Sequence, residues 1–279
     1  MDGLTLSCPA KVNLYLRVVG RRPDGYHELV TVMQPLSLAD VLTITLRAAD
    51  IICECQGADL PRDDGNLAVR AVKAFQQATS TRFGVHLRLV KNIPVAAGLG
   101  GGSSDAAGVL QGLNRLQGLL LNRSQLAALA RQLGADVPFF LLAGPALGRG
   151  IGEVLTPIAL PPLWYVLINP GFSVSTAQVY AGLRPPFPAP PPAAEIDAML
   201  QHHPSTWLQN DLEAVTMAQH PELAELKTAL RRQGAQGVLM SGSGPTVFGI
   251  FPSAGSAQAA AARLQADTGL WTAAAQGVA

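Results

Sequence analysis

The chain has 279 residues, is 48% hydrophobic and 14% charged, and carries a formal net charge of +1. That composition supplies a sizeable apolar core, and the length suggests about two domains. Basic residues are scattered, with no cluster beyond Arg21-Arg22 or Arg231-Arg232, so neither nucleic acid nor an acidic membrane is an expected partner, and small molecules become the default.

In chain order, Leu4 to Leu6, Val12 to Val19 and Val41 to Leu46 have the β-branched enrichment of strands, interrupted by the turn-rich Arg21-Arg22-Pro23-Asp24-Gly25. Asn66 is placed to cap a helix running to Gln77, with Leu67, Val69, Val72 and Phe75 at helical spacings, and strand-like Val85 to Val90 follows. Ser104 to Leu116 reads as a small-residue helix, and Ser124 as the cap of another that Gly134 ends. Proline becomes frequent from Leu155 to Pro162, ahead of a strand at Trp164 to Ile168, which places a domain boundary between residues 158 and 159. Beyond it, Pro185 to Pro192 is an extended connector. A helix over Pro221 to Gln233, strands at Val238 to Met240 and Thr246 to Phe251, a helix over Ser256 to Thr268 and a last strand near Trp271 complete an α+β arrangement.

The three cysteines, Cys8, Cys53 and Cys55, form neither a metal quartet nor a disulfide framework, which favours a reducing compartment. The most apolar stretches are interrupted by proline or glycine and are too short to cross a bilayer. No basic stretch or apolar leader precedes Cys8, so a bacterial cytoplasm is expected, or a plastid stroma after removal of a transit peptide.

The chemistry concentrates in Pro94-Val95-Ala96-Ala97-Gly98-Leu99-Gly100-Gly101-Gly102-Ser103-Ser104, four glycines and two serines between a strand and a helix. Bare backbone N–H groups and the positive end of a helix dipole converge there on one point, a site for an anion. The hydroxyls of Ser103 and Ser104 can donate to phosphate oxygens or ligate a magnesium ion bound to them. A Walker loop would need lysine where Gly102 stands, and a dinucleotide fingerprint would need glycine at Ser103 and an acid about twenty residues on. Polyphosphate remains the better ligand.

The loop resembles the central motif of the GHMP kinase superfamily, named for galactose, homoserine, mevalonate and phosphomevalonate. Pro9-Ala10-Lys11-Val12-Asn13-Leu14 near the start and Met240-Ser241-Gly242-Ser243-Gly244-Pro245-Thr246-Val247-Phe248 near the end match its other two motifs. The likeness is greatest to the branch acting on cytidine diphosphate methylerythritol, through Arg22-Pro23-Asp24-Gly25-Tyr26-His27 and Leu133-Gly134-Ala135-Asp136-Val137-Pro138. Cys8 departs from it where serine is common before Pro-Ala-Lys.

The resemblance implies the two-domain GHMP kinase fold: an N-terminal ATP-binding domain over 1–158 and a C-terminal α/β sandwich with an antiparallel sheet over 159–279. It implies transfer of the γ-phosphoryl group of ATP, with Mg, to the 2-hydroxyl of the cytidine compound in a cleft between the domains. Asp136 is implied as the base and Lys11 as its cationic partner, while Asn13, Tyr26 and His27 are implied to bind substrate. On local sequence alone Asp136 is equally an N-cap, Lys11 a solvated lysine, His27 a surface imidazole and Gly242-Ser243-Gly244 an ordinary hairpin turn. Lys91 reads as a solvated strand-end lysine near the nucleotide. His86, His202, His203 and His220 lack metal-ligand spacing, so no protein-built metal site is expected. A monomer or weak homodimer is expected.

Overall fold

The computed structural model describes residues 3–278. They form two compact units that alternate along the chain, one comprising 3–10, 39–95 and 100–143, the other 11–38, 96–99 and 144–278. Two long strands, β1 (Gly3–Arg21) and β2 (His27–Arg47), each contribute to both. Their connection is tied by Arg22 N–H to Tyr26 O at 2.7 Å and turns at Gly25, whose φ of 88° suits glycine.

In the first unit the chain continues through β3 (Ile51–Gln56), α1 (Leu67–Thr79), β4 (Gly84–Val90), α2 (Gly101–Leu116), α3 (Arg123–Leu133) and a 3₁₀ helix (Val137–Leu141). Strand order here is β3-β4-β2-β1, with β4 antiparallel to β2 and parallel to β3. The parallel step requires a crossover, which α1 provides. Asn66 caps α1 by accepting from Ala68 N–H at 3.0 Å, and Val69, Val72 and Phe75 bury its apolar face. Helix α2 uses its small residues for close approach to the sheet. A Cβ on Gly108 would lie 2.7 Å from Cys8 Sγ, too close for a side chain. Helix α3 is capped by Asn122 in a capping box with Gln125, not by Ser124. The Asn122 carboxamide reaches Gln125 N–H at 3.0 Å, and the Ser124 hydroxyl donates back to Asn122 at 2.7 Å.

The second unit adds β5 (Ala146–Arg149), β6 (Val154–Pro157), β7 (Trp164–Asn169), α4 (Thr176–Gly182), α5 (Ala193–Leu200) and a 3₁₀ turn (Pro204–Thr206). Then follow β8 (Gln209–Asn210), α6 (Glu213–Gln219), α7 (Leu223–Arg232), β9 (Gly237–Met240), β10 (Val247–Phe251), α8 (Ala254–Thr268) and β11 (Trp271–Gln276). The order β11-β7-β10-β9 is a four-stranded antiparallel sheet, as expected for the C-terminal half. Helices α7 and α8 pack on it, burying Leu223, Leu226, Leu230, Ala257, Ala260 and Leu264 against Val166, Ile168, Val247 and Phe251. Each such leucine contributes about 1.5–3 kcal/mol of transfer free energy. The short β8 pairs in parallel with β1 at Tyr15 and Leu16, while β2 pairs with β5 and β5 with β6.

Candidate active site

The glycine loop passes from the first unit through residues 96–99 in the second and back to α2 in the first. Its backbone needs glycine: φ is 74° at Gly98 and 72° at Gly100, and a Cβ on Gly98 would collide with the Ser241 carbonyl oxygen. Gly100 occupies the N-cap of α2 and supplies no side-chain cap, and no acidic residue stands in the first turn. The first-turn N–H groups therefore keep their positive potential. Gly102 is exposed, with nothing within 4 Å of where a Cβ would be. The Ser104 hydroxyl is buried without a hydrogen-bond partner. A cradle that admits backbone approach and an orphaned hydroxyl both fit a phosphate with its cation. Ala97 and Leu99 are buried, Ala96 is exposed at φ 52°, and Pro94 and Val95 lead in, with Val95 half exposed. Ser103 is partly buried in the first turn of α2.

Within the second unit the β9–β10 connection, residues 241–246, grips the loop. Ser241 Oγ donates to Gly98 O at 2.9 Å, Thr246 N–H reaches Ala97 O at 3.4 Å, and Lys11 N–H reaches Leu99 O at 2.9 Å. The turn is itself pinned by Asn210, whose amide donates to Met240 O and Gly242 O at 2.8 and 2.7 Å. Thr216 Oγ1 donates to Ser243 O at 3.1 Å. So the Gly242-Ser243-Gly244 segment does connect a β-hairpin, and it also buttresses the glycine loop.

Lys11 and Asn13 project from β1 beside this turn. Lys11 is buried rather than solvated, and its Nζ donates to Asn13 Oδ1 at 2.6 Å. Asn13 Nδ2 donates to Thr31 Oγ1 at 2.9 Å, which in turn donates to Tyr15 O at 2.7 Å. Asn13 N–H reaches Ser241 Oγ at 3.4 Å, so lysine, asparagine, loop and turn form one hydrogen-bonded set. A buried ammonium needs polar partners, and this chain orients it.

Asp136, in the first unit, stands at the N-cap position of the 3₁₀ helix with Pro138 following, but its φ and ψ of −82° and −16° are helical and its side chain makes no capping bond. Tyr26 is 60% exposed, its N–H bonded to Asp24 Oδ1 at 3.1 Å. The His27 ring stacks on Tyr180 with centroids 5.2 Å apart and meets Phe187 edge-on at 5.6 Å. Burial, and secondarily the Arg21 charge, hold its pKa below the ordinary imidazole value. A neutral His27 offers one donor and one acceptor. These two aromatic partners lie in α4 and the proline-rich connector, segments with no periodic signal to mark them.

Lys91 is not solvated. Its side chain is 4% exposed and paired with Asp40 and Asp105. No group of His, Cys, Asp and Glu among the described residues could hold a metal by itself. No described helix is long and apolar enough to cross a membrane.

Two family models match the chain: GHMP kinases N terminal domain over residues 66–144 and GHMP kinases C terminal over 194–268. A 4-diphosphocytidyl-2-C-methyl-D-erythritol kinase of Syntrophotalea carbinolica is 47% identical, covering 94% of both chains, and that of Pelobacter propionicus is 45% identical, covering 99% of both. The crystal structure of a 4-(cytidine 5'-diphospho)-2C-methyl-D-erythritol kinase superposes with a TM-score of 0.85 at 42% identity, covering 99% of this chain and all of the other. A homoserine kinase of Cytophaga hutchinsonii shares the fold, with a TM-score of 0.75 at 18% identity.

Proposed function

The chain belongs to the GHMP kinases and, within them, to the 4-diphosphocytidyl-2-C-methyl-D-erythritol kinase family, and on that premise we propose that it phosphorylates the 2-hydroxyl of that cytidine compound with ATP. The observation that carries the reading is the α2 N-terminus: uncapped, free of first-turn acids and fronted by an open Gly102. It suits the triphosphate of the donor. Residues 94–104 hold the nucleotide, and Tyr26, His27 and Asn13 hold the acceptor. The product enters isoprenoid precursor synthesis by the non-mevalonate route.

A tertiary alcohol must lose its proton as it attacks, and Asp136 is the proposed base, with a carboxylate that makes no capping bond. The alcohol oxygen bonds to the γ-phosphorus, the bond from that phosphorus to the β,γ-bridging oxygen breaks, and ADP leaves. The proton passes to Asp136. Lys11, oriented by Asn13, steadies the oxygen as negative charge develops. A magnesium ion arriving with ATP would neutralise charge on the phosphates, and Ser104, with its unpartnered hydroxyl, is the residue suited to it.

The proposed functional division at residues 158 and 159 is supported by the two family matches falling on either side of it. Bacterial relatives support work in a bacterial cytoplasm. Asp136→Asn tests the base: it should bind ATP as the parent does and lose at least about 10²-fold in kcat. Turnover at the parent rate would remove Asp136 from the mechanism. Incubating the parent protein with Mg-ATP and a panel of alcohols tests the acceptor, which fails if another compound is phosphorylated and the cytidine compound is not.

A further inference from the structure

Beneath the glycine loop lies a charged cluster that the proposed chemistry does not use. All of it belongs to the first unit. Lys91 Nζ is paired with Asp40 Oδ2 and, at 2.6 Å, with Asp105 Oδ2; the three side chains are 4%, 0% and 3% exposed. The second oxygen of Asp40 accepts the backbone N–H groups of Asn92 at 2.6 Å and Ile93 at 2.9 Å, the residues that lead into the loop. The Asn92 carboxamide donates to Ala39 O at 2.8 Å, and Lys91 N–H to Gln56 O at 2.8 Å. At the other end of the loop, a Cβ on Gly101 would stand 3.3 Å from Asp40 Oδ2 and 3.2 Å from Ile93 Cγ2. Asp105 is on α2 itself, one residue beyond the orphaned Ser104 hydroxyl.

The cluster thus ties both ends of the loop to one ammonium. Asp40 holds the entry by two N–H groups and lies close enough to the start of α2 to crowd any side chain at Gly101, and Lys91 joins Asp40 to the second turn of that helix. Stability is a poor reason for it. A buried ion pair gains little over well-packed apolar side chains, and here two carboxylates share one cation. Burial and the Asp40 charge push the Asp105 carboxyl up to about 6, against the opposing pull of Lys91, and the Cys8 thiol lies against the same carboxylate. What such a cluster supplies is a single geometry, because each member's direction is dictated by the other two.

We propose that Asp40, Lys91 and Asp105 are positioning residues for phosphoryl transfer, a brace that fixes both ends of the glycine loop so that the α2 N–H groups meet the polyphosphate in one arrangement. This rests on the nucleotide reading of the loop given above. None of the three is assigned contact with substrate.

Lys91→Met removes the shared cation, and Asp105→Asn, close in shape, keeps the fold should the first variant unfold. For both we expect the KM for ATP to rise, at least tenfold for Lys91→Met and severalfold for Asp105→Asn, with the KM for the acceptor alcohol unchanged. Amide hydrogen exchange should accelerate in a peptide spanning 92–104 and stay as in the parent in α7. Lys91→Arg, which keeps the charge, should recover part of the loss. A purely structural role would lower stability and speed exchange throughout without separating the two KM values, and that result overturns the proposal. So does parental ATP affinity with parental exchange at 92–104. ATP binding measured by calorimetry keeps this test apart from the acceptor's identity: a parent protein that binds Mg-ATP but ignores the cytidine compound sinks the assigned reaction and leaves the brace standing.

Discussion

Gly102→Ala separates the demands of folding from those of ligand binding at a single atom. Gly102 is in the first turn of α2, and the space its Cβ would take is empty to 4 Å. In a helix interior alanine is the better helix former by about 0.5–1 kcal/mol, which is the upper limit on what the folded state gains in this first turn. In a chain of this size that limit amounts to a rise of ~1–4 °C in the melting temperature. The same methyl group would occupy the approach to the uncapped N–H groups. Losing one hydrogen bond to a charged phosphate oxygen costs about 1.5–3 kcal/mol, which corresponds to an increase of about 10- to 150-fold in the KM for ATP. Differential scanning fluorimetry and initial-rate kinetics on one preparation read both quantities. A variant that is more stable yet binds ATP as the parent does would refute the assignment of the phosphate to this turn.

Ser241→Ala would leave the Gly98 carbonyl and the Asn13 N–H without their partner, at 2.9 and 3.4 Å in the parent. Urea unfolding should show a loss of about 1–3 kcal/mol, with most of it from the shorter bond. Because the His27 pKa lies below its ordinary value of 6.5, the folded protein resists protonation there. Its neutral ring is fully present above that pH, and stability and affinity for the cytidine compound should decline as pH falls through and below it. In His27→Asn the KM for that compound should be raised and should lose this component of its pH dependence, a difference visible in KM profiles of the two proteins.

Several features were legible in the sequence because they are local. The cap at Asn66, the stop at Gly134 and the positive-φ glycines of the loop all act over a few residues. Strand β2 was legible only over Val41 to Leu46. Its preceding stretch, Leu29 to Leu36, is buried on every residue, so it carries no alternation to read. Lys91 looked like an ordinary solvated lysine because its partners are 51 and 14 residues away, and neither separation is a helix or strand period. The same holds for His27, whose stacking partner Tyr180 is on α4. Asp136 carried a capping signal in its sequence, and the short helix is there, but the carboxylate takes no part in the cap.

The bond from Asn13 to Ser241 joins residues 228 positions apart. At a synthesis rate of 5–20 residues per second, the ribosome needs roughly 10–50 s to add the second partner after the first. Through that interval Lys11, and the glycine loop from the moment it is made, lack the turn that holds them, so a nascent chain interrupted before β9 would carry the nucleotide motif without its buttress. Catalytic competence would then be gained late in translation, with the final strands of the polypeptide.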